Sequence, residues 1–312
     1  MTTSLPKIIV ILGPTASGKT DLAIALAREF NGEIISADSR QVYKKMTIAT
    51  GKPAGKWKRV DDAEAYVVEG IPHYLMDMVD PGADFTLAQF KESALSAIRH
   101  IRERGKIPFL VGGTGLYIWS IVDNLSIPRV APNKQLRRGF ERKSPSELAA
   151  LLAKIDPATA EKIDLKNKRR VLRALEVAIL SGQSLQGQQT KGAPVVAALQ
   201  IGLNHPRAEL RDRIDNRVKG RVKGGMIAET ERLLKQKYDW ALPSLSGLGY
   251  REIHKHLQGE LSLAEAIEVI SGLTRRYARR QLTWFKRDPR IHWLKEPDLK
   301  AARVLIADFL AS

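Results

Sequence analysis

Eight residues, Gly13-Pro14-Thr15-Ala16-Ser17-Gly18-Lys19-Thr20, fit the pattern G-x-x-x-x-G-K-[ST], whose chemistry is phosphate binding. The glycines let backbone N–H groups face an anion, and the helix expected to follow adds the positive end of its dipole. Lys19 supplies a full charge, and Thr20 is placed to hold Mg²⁺. The same cradle suits a nucleoside triphosphate or any diphosphate, so the reaction must be read elsewhere. Asp38, in Ser36-Ala37-Asp38-Ser39-Arg40-Gln41-Val42-Tyr43, is the nearest candidate. Its carboxylate could serve as a general base, support Mg²⁺ from a second shell, or cap a helix. In Val111-Gly112-Gly113-Thr114-Gly115-Leu116-Tyr117, the glycines would either admit a ligand close to the backbone or make a tight strand-to-helix turn. Thr114 adds a hydroxyl there.

These three segments need a frame. Lys7 to Leu12, Glu33 to Ser36 and Ile107 to Val111 are apolar, β-branched and bounded by turn residues, which predicts buried strands. Asp21 to Phe30 and Leu87 to Arg104 have helical spacing, and the alternation implies a parallel α/β sheet. Ligands of such sheets collect at the carboxyl ends of the strands, where all three segments fall. From about Asn124 to Gln189 the pattern is helical without a strand, with pieces at Ser144 to Ile155, Pro157 to Ile163 and Lys168 to Leu180. Val195 to Leu203 returns the chain to the sheet, and Ile291 to Leu294 is one more short apolar run. The expected division is a core of 1–123 with 195–312 and a helical insertion of 124–194.

Fifty-one Lys and Arg against 34 Asp and Glu give 312 residues a net charge of +17, a field that attracts polyanions. Without a bulky amphipathic segment, nucleic acid is favoured over a membrane. Arg275 and Arg279 are four apart, as are Arg276 and Arg280, an unfavourable spacing that suits an anionic partner. Tyr277, Trp284 and Phe285 between them read as core anchors. Arg217 to Lys223 holds a second concentration of positive charge. With no cysteine, disulfides and thiolate zinc sites are excluded, so any metal must be held by oxygen or imidazole. No histidine sits in a metal or triad spacing; His73 reads as a loop residue supporting the crevice, and the others as structural or surface residues. There is no run of about 18 apolar residues, and Met1 to Lys7 lacks a secretory h-region, so a cytoplasmic protein is expected.

Taken together, GPTASGKT, ISADSRQVY, GKP (51–53), the His73 to Pro81 segment, VGGTGLY, RRVLRALE (169–176), GLGYRE (247–252) and TRRYARRQLTWFKRD (274–288) resemble the tRNA dimethylallyltransferase family, in its bacterial form, over nearly the whole chain. The resemblance implies a P-loop NTPase-like parallel sheet core flanked by helices, with an inserted all-helical domain. It also implies transfer of a dimethylallyl group from dimethylallyl diphosphate to the exocyclic N6 of adenosine 37, beside the anticodon, in tRNAs reading codons that begin with U.

In that reaction the diphosphate lies in the 13–20 loop, with Lys19 and Mg²⁺ at Thr20 neutralising its charge. Asp38 takes the N6 proton, Thr114 hydrogen-bonds near the reacting amine or bridging oxygen, and Arg213 or Arg217 adds charge at the diphosphate. Ser39, Arg40 and Gln41 read the flipped base. Arg137, Arg169, Arg170, Val171, Leu172 and Arg173 match positions at which the insertion grips the anticodon stem-loop. No protein partner is required, and a monomer is expected.

Two small departures, Ile48-Ala49-Thr50-Gly51-Lys52-Pro53 and Asp84-Phe85-Thr86, bear on loop shape. The zinc-finger extension of eukaryotic members is missing. The competing classes are a small-molecule kinase, which shares the phosphate loop and a second-strand carboxylate; a nucleic-acid-binding ATPase, which needs a strand-end acidic pair that is missing here; and a prenyltransferase acting on free adenine nucleotides, which leaves the basic insertion unexplained.

Overall fold

The computed structural model describes residues 5–312 apart from 62, 129, 141 and 189. The expectations for Met1 to Ser4 and for Gln189 therefore lie outside the described residues. Strands β1 (Lys7–Leu12), β2 (Gly32–Ser36), β3 (Lys56–Val60), β4 (Ala63–Val68), β5 (Ile71–Tyr74), β6 (Ile107–Gly112), β7 (Ala197–Leu203) and β8 (Ile291–Leu294) form one sheet. Their order is β3-β4-β5-β2-β6-β1-β7-β8.

From β5 to β8 every pair is parallel, with Ile9 opposite Phe109 and Leu199, and Ile34 opposite Phe109 and His73. β4 and β3 extend that parallel core antiparallel at one edge, two strands that were not expected. β3 escaped the sequence reading because KWKRV is exposed at four of its five positions and has no apolar run to betray it. β7 begins two residues later than the apolar pattern because its neighbour β1 begins at Lys7, opposite Ala197.

In chain order the helices are α1 (Lys19–Glu29), α2 (Leu87–Glu103), α3 (Gly115–Val122), α4 (Lys134–Phe140), α5 (Pro145–Ile155), α6 (Pro157–Ala160) and α7 (Lys168–Ser181). They continue with α8 (Leu185–Gln188), α9 (Arg207–Arg221), α10 (Ile227–Lys235), α11 (Tyr250–Leu257), α12 (Leu263–Phe285) and α13 (Leu299–Ala311). α2 and α3 cover one sheet face, placing Phe90, Ala94, Ile98, Ile118 and Ile121 against Ile8, Val10, Ile35 and Leu110. α1 and α13 cover the other, with Leu22, Leu26, Ala302 and Ile306 against Ile9, Ile11, Ile34 and Phe109. Completely buried β-branched strands follow from this double covering.

α9 to α12 build their own apolar cluster around Leu210, Ile214, Val218, Tyr250, Ile270 and Ala278. Between α9 and α10 the chain makes a π-helical turn, Val222–Met226, in which Gly225 has φ 103° and kinks the axis. The kink needs positive φ at this position, which glycine takes without a Cβ penalty.

The chain separates into two compact units, one of residues up to 122 with 195–312 and the other of 123–194. The second holds α4 to α8 around Leu148, Leu152, Val171, Leu175 and Val177. α5 starts on a reciprocal cap between Ser144 and Glu147, and α7 stops at Gly182, whose φ is 66°. α6 ends at Ala160, earlier than the pattern suggested. Among the described residues, this unit has no strand beyond the single bridge Leu125–Lys191, and no helix is long and apolar enough to cross a membrane.

Candidate active site

The phosphate loop turns between β1 and α1 on three positive φ values: Gly13 at 145°, Ala16 at 64° and Gly18 at 83°. At Gly13 a Cβ would lie 2.7 Å from the Leu203 carbonyl, so no side chain fits. α1 begins without a side-chain cap, leaving its first N–H groups open to an anion. They face a cleft of about 490 Å³ lined by residues 16–21 with Arg213, Asn216 and Arg217. Lys19 curls back on the loop, its ammonium donating to the Pro14 carbonyl at 2.5 Å and to Ser17 Oγ at 3.4 Å. Desolvation there pushes Lys19 down to about 7, with Arg217 adding to the shift and Asp38 opposing it.

Two residues brace the loop from behind. His205 is buried, meeting the Ser17 carbonyl through Nε2 at 2.9 Å and Glu209 through Nδ1 at 2.8 Å. Gln281 accepts the Thr15 N–H at 2.8 Å. Their contacts with the loop have no local sequence signal, because the partners Ser17 and Thr15 are 188 and 266 residues away.

Asp38 follows β2. Its carboxylate accepts the Arg40 N–H at 2.8 Å, closing a turn of its own, and no helix starts there. That removes the helix-cap alternative. Thr114 reaches the same segment from the third loop, its hydroxyl accepting the Ser39 N–H at 3.2 Å. The glycines of that loop are required by protein neighbours: a Cβ at Gly112 would strike the Ala37 carbonyl at 2.2 Å, and one at Gly115 would strike Trp284 at 2.3 Å. Their side-chain space is thus filled from within. Arg40 is tied to the Pro243 carbonyl and to Ser246 Oγ, and Gln41 to Ser36 Oγ at 2.9 Å and the Gly51 carbonyl at 3.3 Å.

Positive charge crowds toward Asp38. Arg213 and Arg217 both line the cleft, and Arg213 also donates to the Ala16 carbonyl at 2.9 Å. Arg221, four residues further on α9, completes an i, i+4, i+8 row with Arg213 and Arg217. Desolvation draws Arg217 down and Arg221 down to about 9, where Arg217 adds to the shift and Asp38 opposes it. Lys52, buried, bonds the Tyr43 carbonyl and the Asp77 carboxylate, and desolvation lowers it as well. Glu229, 1% exposed, holds the loop that carries Lys52: it accepts the N–H groups of Thr47, Ile48 and Ala49 at 2.8, 2.8 and 3.1 Å and the Tyr250 hydroxyl at 2.7 Å.

Tyr277 corrects its reading as a core anchor. It belongs to no apolar cluster and stands near Asp38, Arg40 and Thr114, where desolvation and then Asp38 push it up to about 12. Phe285 is buried as expected, and Trp284 packs on the same core. Arg275 is claimed by Asp215 at 2.7 and 2.8 Å and by Glu268 at 2.7 Å, so protein carboxylates answer its charge; Arg276, Arg279 and Arg280 stay exposed. His73 is a buried strand residue of β5 rather than a loop residue, bonded through Nδ1 to the Ile71 carbonyl.

In the helical unit, Arg137 forms a fork with Glu176 at 2.6 and 2.8 Å, and Arg173 joins it at 3.4 Å. Glu176 is fully buried; desolvation works to raise it, but the Arg137 contact, the Asn133 N–H and Arg173 outweigh that and hold it below its ordinary range. Arg169 and Arg170 are exposed on the first turn of α7. Val171 is fully buried in the helical core and Leu172 packs against it, so the Val171 side chain is withdrawn from any contact set.

Whether Mg²⁺ fits can be judged from the donors. Among the described residues no group of three or more His, Asp or Glu could hold a metal ion, so there is no all-protein cage. The cleft offers instead the Thr20 hydroxyl and the Asp21 side chain beside the phosphate loop. That set fits an ion held largely by ligand phosphate and water, as Mg²⁺ prefers.

Two family models match the chain: IPP transferase over residues 41–288 and isopentenyl transferase over residues 6–62. It is 44% identical to a tRNA dimethylallyltransferase of Roseiflexus sp. over 91% of each chain, and 41% identical to one of Acetivibrio thermocellus over 97% of this chain and 96% of the relative. Among solved structures it resembles a eukaryotic dimethylallyltransferase acting on tRNA, with a TM-score of 0.80 and 29% identity, covering 98% of this chain and 79% of the other. A tRNA delta(2)-isopentenylpyrophosphate transferase of Staphylococcus epidermidis gives a TM-score of 0.67 at 36% identity, covering 98% and 99%.

Proposed function

The chain belongs to the IPP transferase family, whose curated relatives are tRNA dimethylallyltransferases, and we propose that it transfers a dimethylallyl group from dimethylallyl diphosphate to N6 of adenosine 37 in tRNAs reading codons that begin with U. The observation that carries this reading is one carboxylate, Asp38, set among the desolvated cations Lys19, Arg217 and Arg221. Excess positive charge in a recess awaits an anion, and a carboxylate beside it can take a proton.

In the reaction the allylic C1–O bond breaks and the N6–C1 bond forms. The electron pair of the broken bond leaves with the diphosphate, and the N6 proton passes to Asp38. An amine conjugated to a purine is a weak nucleophile, so both a positioned base and a stabilised leaving group are needed. Residues Gly13, Pro14, Thr15, Ala16, Ser17, Gly18, Lys19 and Thr20 form the cradle, and Lys19, Arg213 and Arg217 share the departing charge. Thr20 would hold Mg²⁺ beside the loop, which would add positive charge there. Thr114 hydrogen-bonds at the reacting amine, while Ser39 and the main chain at Arg40 and Gln41 border the flipped base.

Arg169 and Arg170 of the helical unit contact phosphates of the anticodon stem-loop, while Arg137 and Arg173, held by Glu176, brace α7, the helix that carries the first pair. The protein acts in the cytoplasm as a monomer. Incubation with unmodified tRNA, Mg²⁺ and radiolabelled dimethylallyl diphosphate should place label on adenosine N6. ATP consumption with a small acceptor and no labelled nucleoside would overturn the proposal.

A further inference from the structure

Gln281 lies on α12, 6% exposed, and makes two long-range hydrogen bonds with one carboxamide. Its Oε1 accepts the Thr15 N–H at 2.8 Å, and its Nε2 donates to the Gly113 carbonyl at 2.8 Å. Both backbone groups belong to irregular segments, the phosphate loop and the third loop, so neither has a partner from a regular ladder. The loops come close here: a Cβ at Gly113 would lie 2.2 Å from Gln281 Nε2 and 3.3 Å from the Gly13 carbonyl. Glycine at 113 is the opening through which the carboxamide reaches.

We propose that Gln281 is a positioning residue for diphosphate binding: it fixes the spacing between the phosphate loop and the third loop, and it removes the Thr15 N–H from the donors available to the ligand. The cradle then consists of the amides from Ala16 onward together with Lys19. The proposal rests on reading the loop as a diphosphate site.

Chemistry restricts which side chain can do this. An uncharged carboxamide accepts at one atom and donates at another without bringing charge into a recess already crowded with cations, and unlike an imidazole it does so from a flexible stem that reaches both loops. Glutamate lacks the second donor, and lysine lacks the acceptor. Once the partner is removed, a buried N–H and a buried carbonyl are left without hydrogen bonds, and the loop must move to find water. The same helix face presses Trp284 on Gly115, so α12 grips the third loop at two points.

The test uses the full chain, with inorganic diphosphate as the calorimetric probe and separate KM values for dimethylallyl diphosphate and tRNA. Gln281→Leu is expected to weaken diphosphate binding and raise the dimethylallyl diphosphate KM by roughly 10- to 100-fold, with the tRNA KM little changed. Gln281→Glu keeps the acceptor for Thr15; relative to the unsubstituted protein its affinity should recover as falling pH protonates the carboxyl and restores a donor to Gly113. A folded Gln281→Leu protein with undiminished diphosphate affinity would overturn the inference, as would an equal rise in both KM values. Should the Leu variant fail to fold, a Gln281→Glu protein with unchanged affinity across pH decides against it. Absence of diphosphate binding by the unsubstituted protein would defeat the diphosphate reading itself, and this inference with it.

Discussion

Arginine is used in two opposite ways in this molecule. In the helical unit, Arg137 and Arg173 converge on the single buried carboxylate of Glu176, and the charges are answered within the fold. Around the phosphate loop, Lys19, Arg217 and Arg221 share the field of Asp38, with Asp21 also acting on Arg217 and Glu229 on Arg221, and desolvation lowers all three. The first arrangement holds a helix pair in register; the second stores electrostatic cost that a polyanionic ligand relieves. Pairing therefore separates structural arginines from ligand-facing ones better than burial or sequence clustering does.

The comparison breaks most visibly at Asp38. Asp38→Ala should lower the transfer rate by roughly 10²- to 10⁴-fold while tRNA binding stays nearly intact, measured by single-turnover labelling and filter binding. Equal loss of both would take Asp38 out of the role of base.

Stability separates the two kinds of arginine directly. Arg137→Met should destabilise the protein by about 1–3 kcal/mol, because Glu176 stays buried with its fork removed. Arg221→Met should instead stabilise the ligand-free protein by about 1 kcal/mol, since a desolvated like charge is gone, while raising the diphosphate Kd. Urea denaturation of both variants, without ligand, checks the sign; the same sign for both would erase the distinction.

Acidity gives a third handle. Lys19 sits near 7 instead of 10.5, so its shift costs folding stability that grows as pH falls from 10.5 and is complete below 7. A bound diphosphate favours the charged ammonium, so binding should take up a proton and weaken by up to about tenfold per pH unit above 7. Calorimetry in buffers of different ionisation enthalpy measures the uptake, and Lys19→Arg should abolish the Lys19 share. The smallest effect is expected at Arg169 and Arg170, exposed and answered by no buried carboxylate. Replacing both with Ala should cost tRNA affinity and reduce the log–log salt slope by about 1–2. An unchanged slope would remove them from the interface.

Much of this was legible in the sequence where local pattern and chemistry coincide. β1, β2 and β6 announce themselves by β-branched runs between turn residues, and the phosphate loop by its spacing. β3 to β5 were illegible for physical reasons: β3 is a charged edge strand, and β5 contains Pro72, which argues against a strand on composition. Arg221 lay in plain view at helical spacing from Arg213 and Arg217. Glu229 and His205 were beyond reach, since each acts through backbone groups 180 or more residues distant; Gln281 stood in the quoted 274–288 segment, but its partners at 15 and 113 lie 266 and 168 residues away and nothing nearby records that partnership.

The π-helical turn at Val222–Met226 works as a phase adjuster between two helices. α9 delivers arginines to the recess, and α10 must arrive turned so that Glu229 meets the amides of residues 47–49. One residue of helix is about 100° of rotation, so deleting a single residue from this turn would swing Glu229 off its amides. Only Met226 of the turn is a buried core residue, with Val222 packed beside it, yet the turn's length is as constrained as any core side chain's volume.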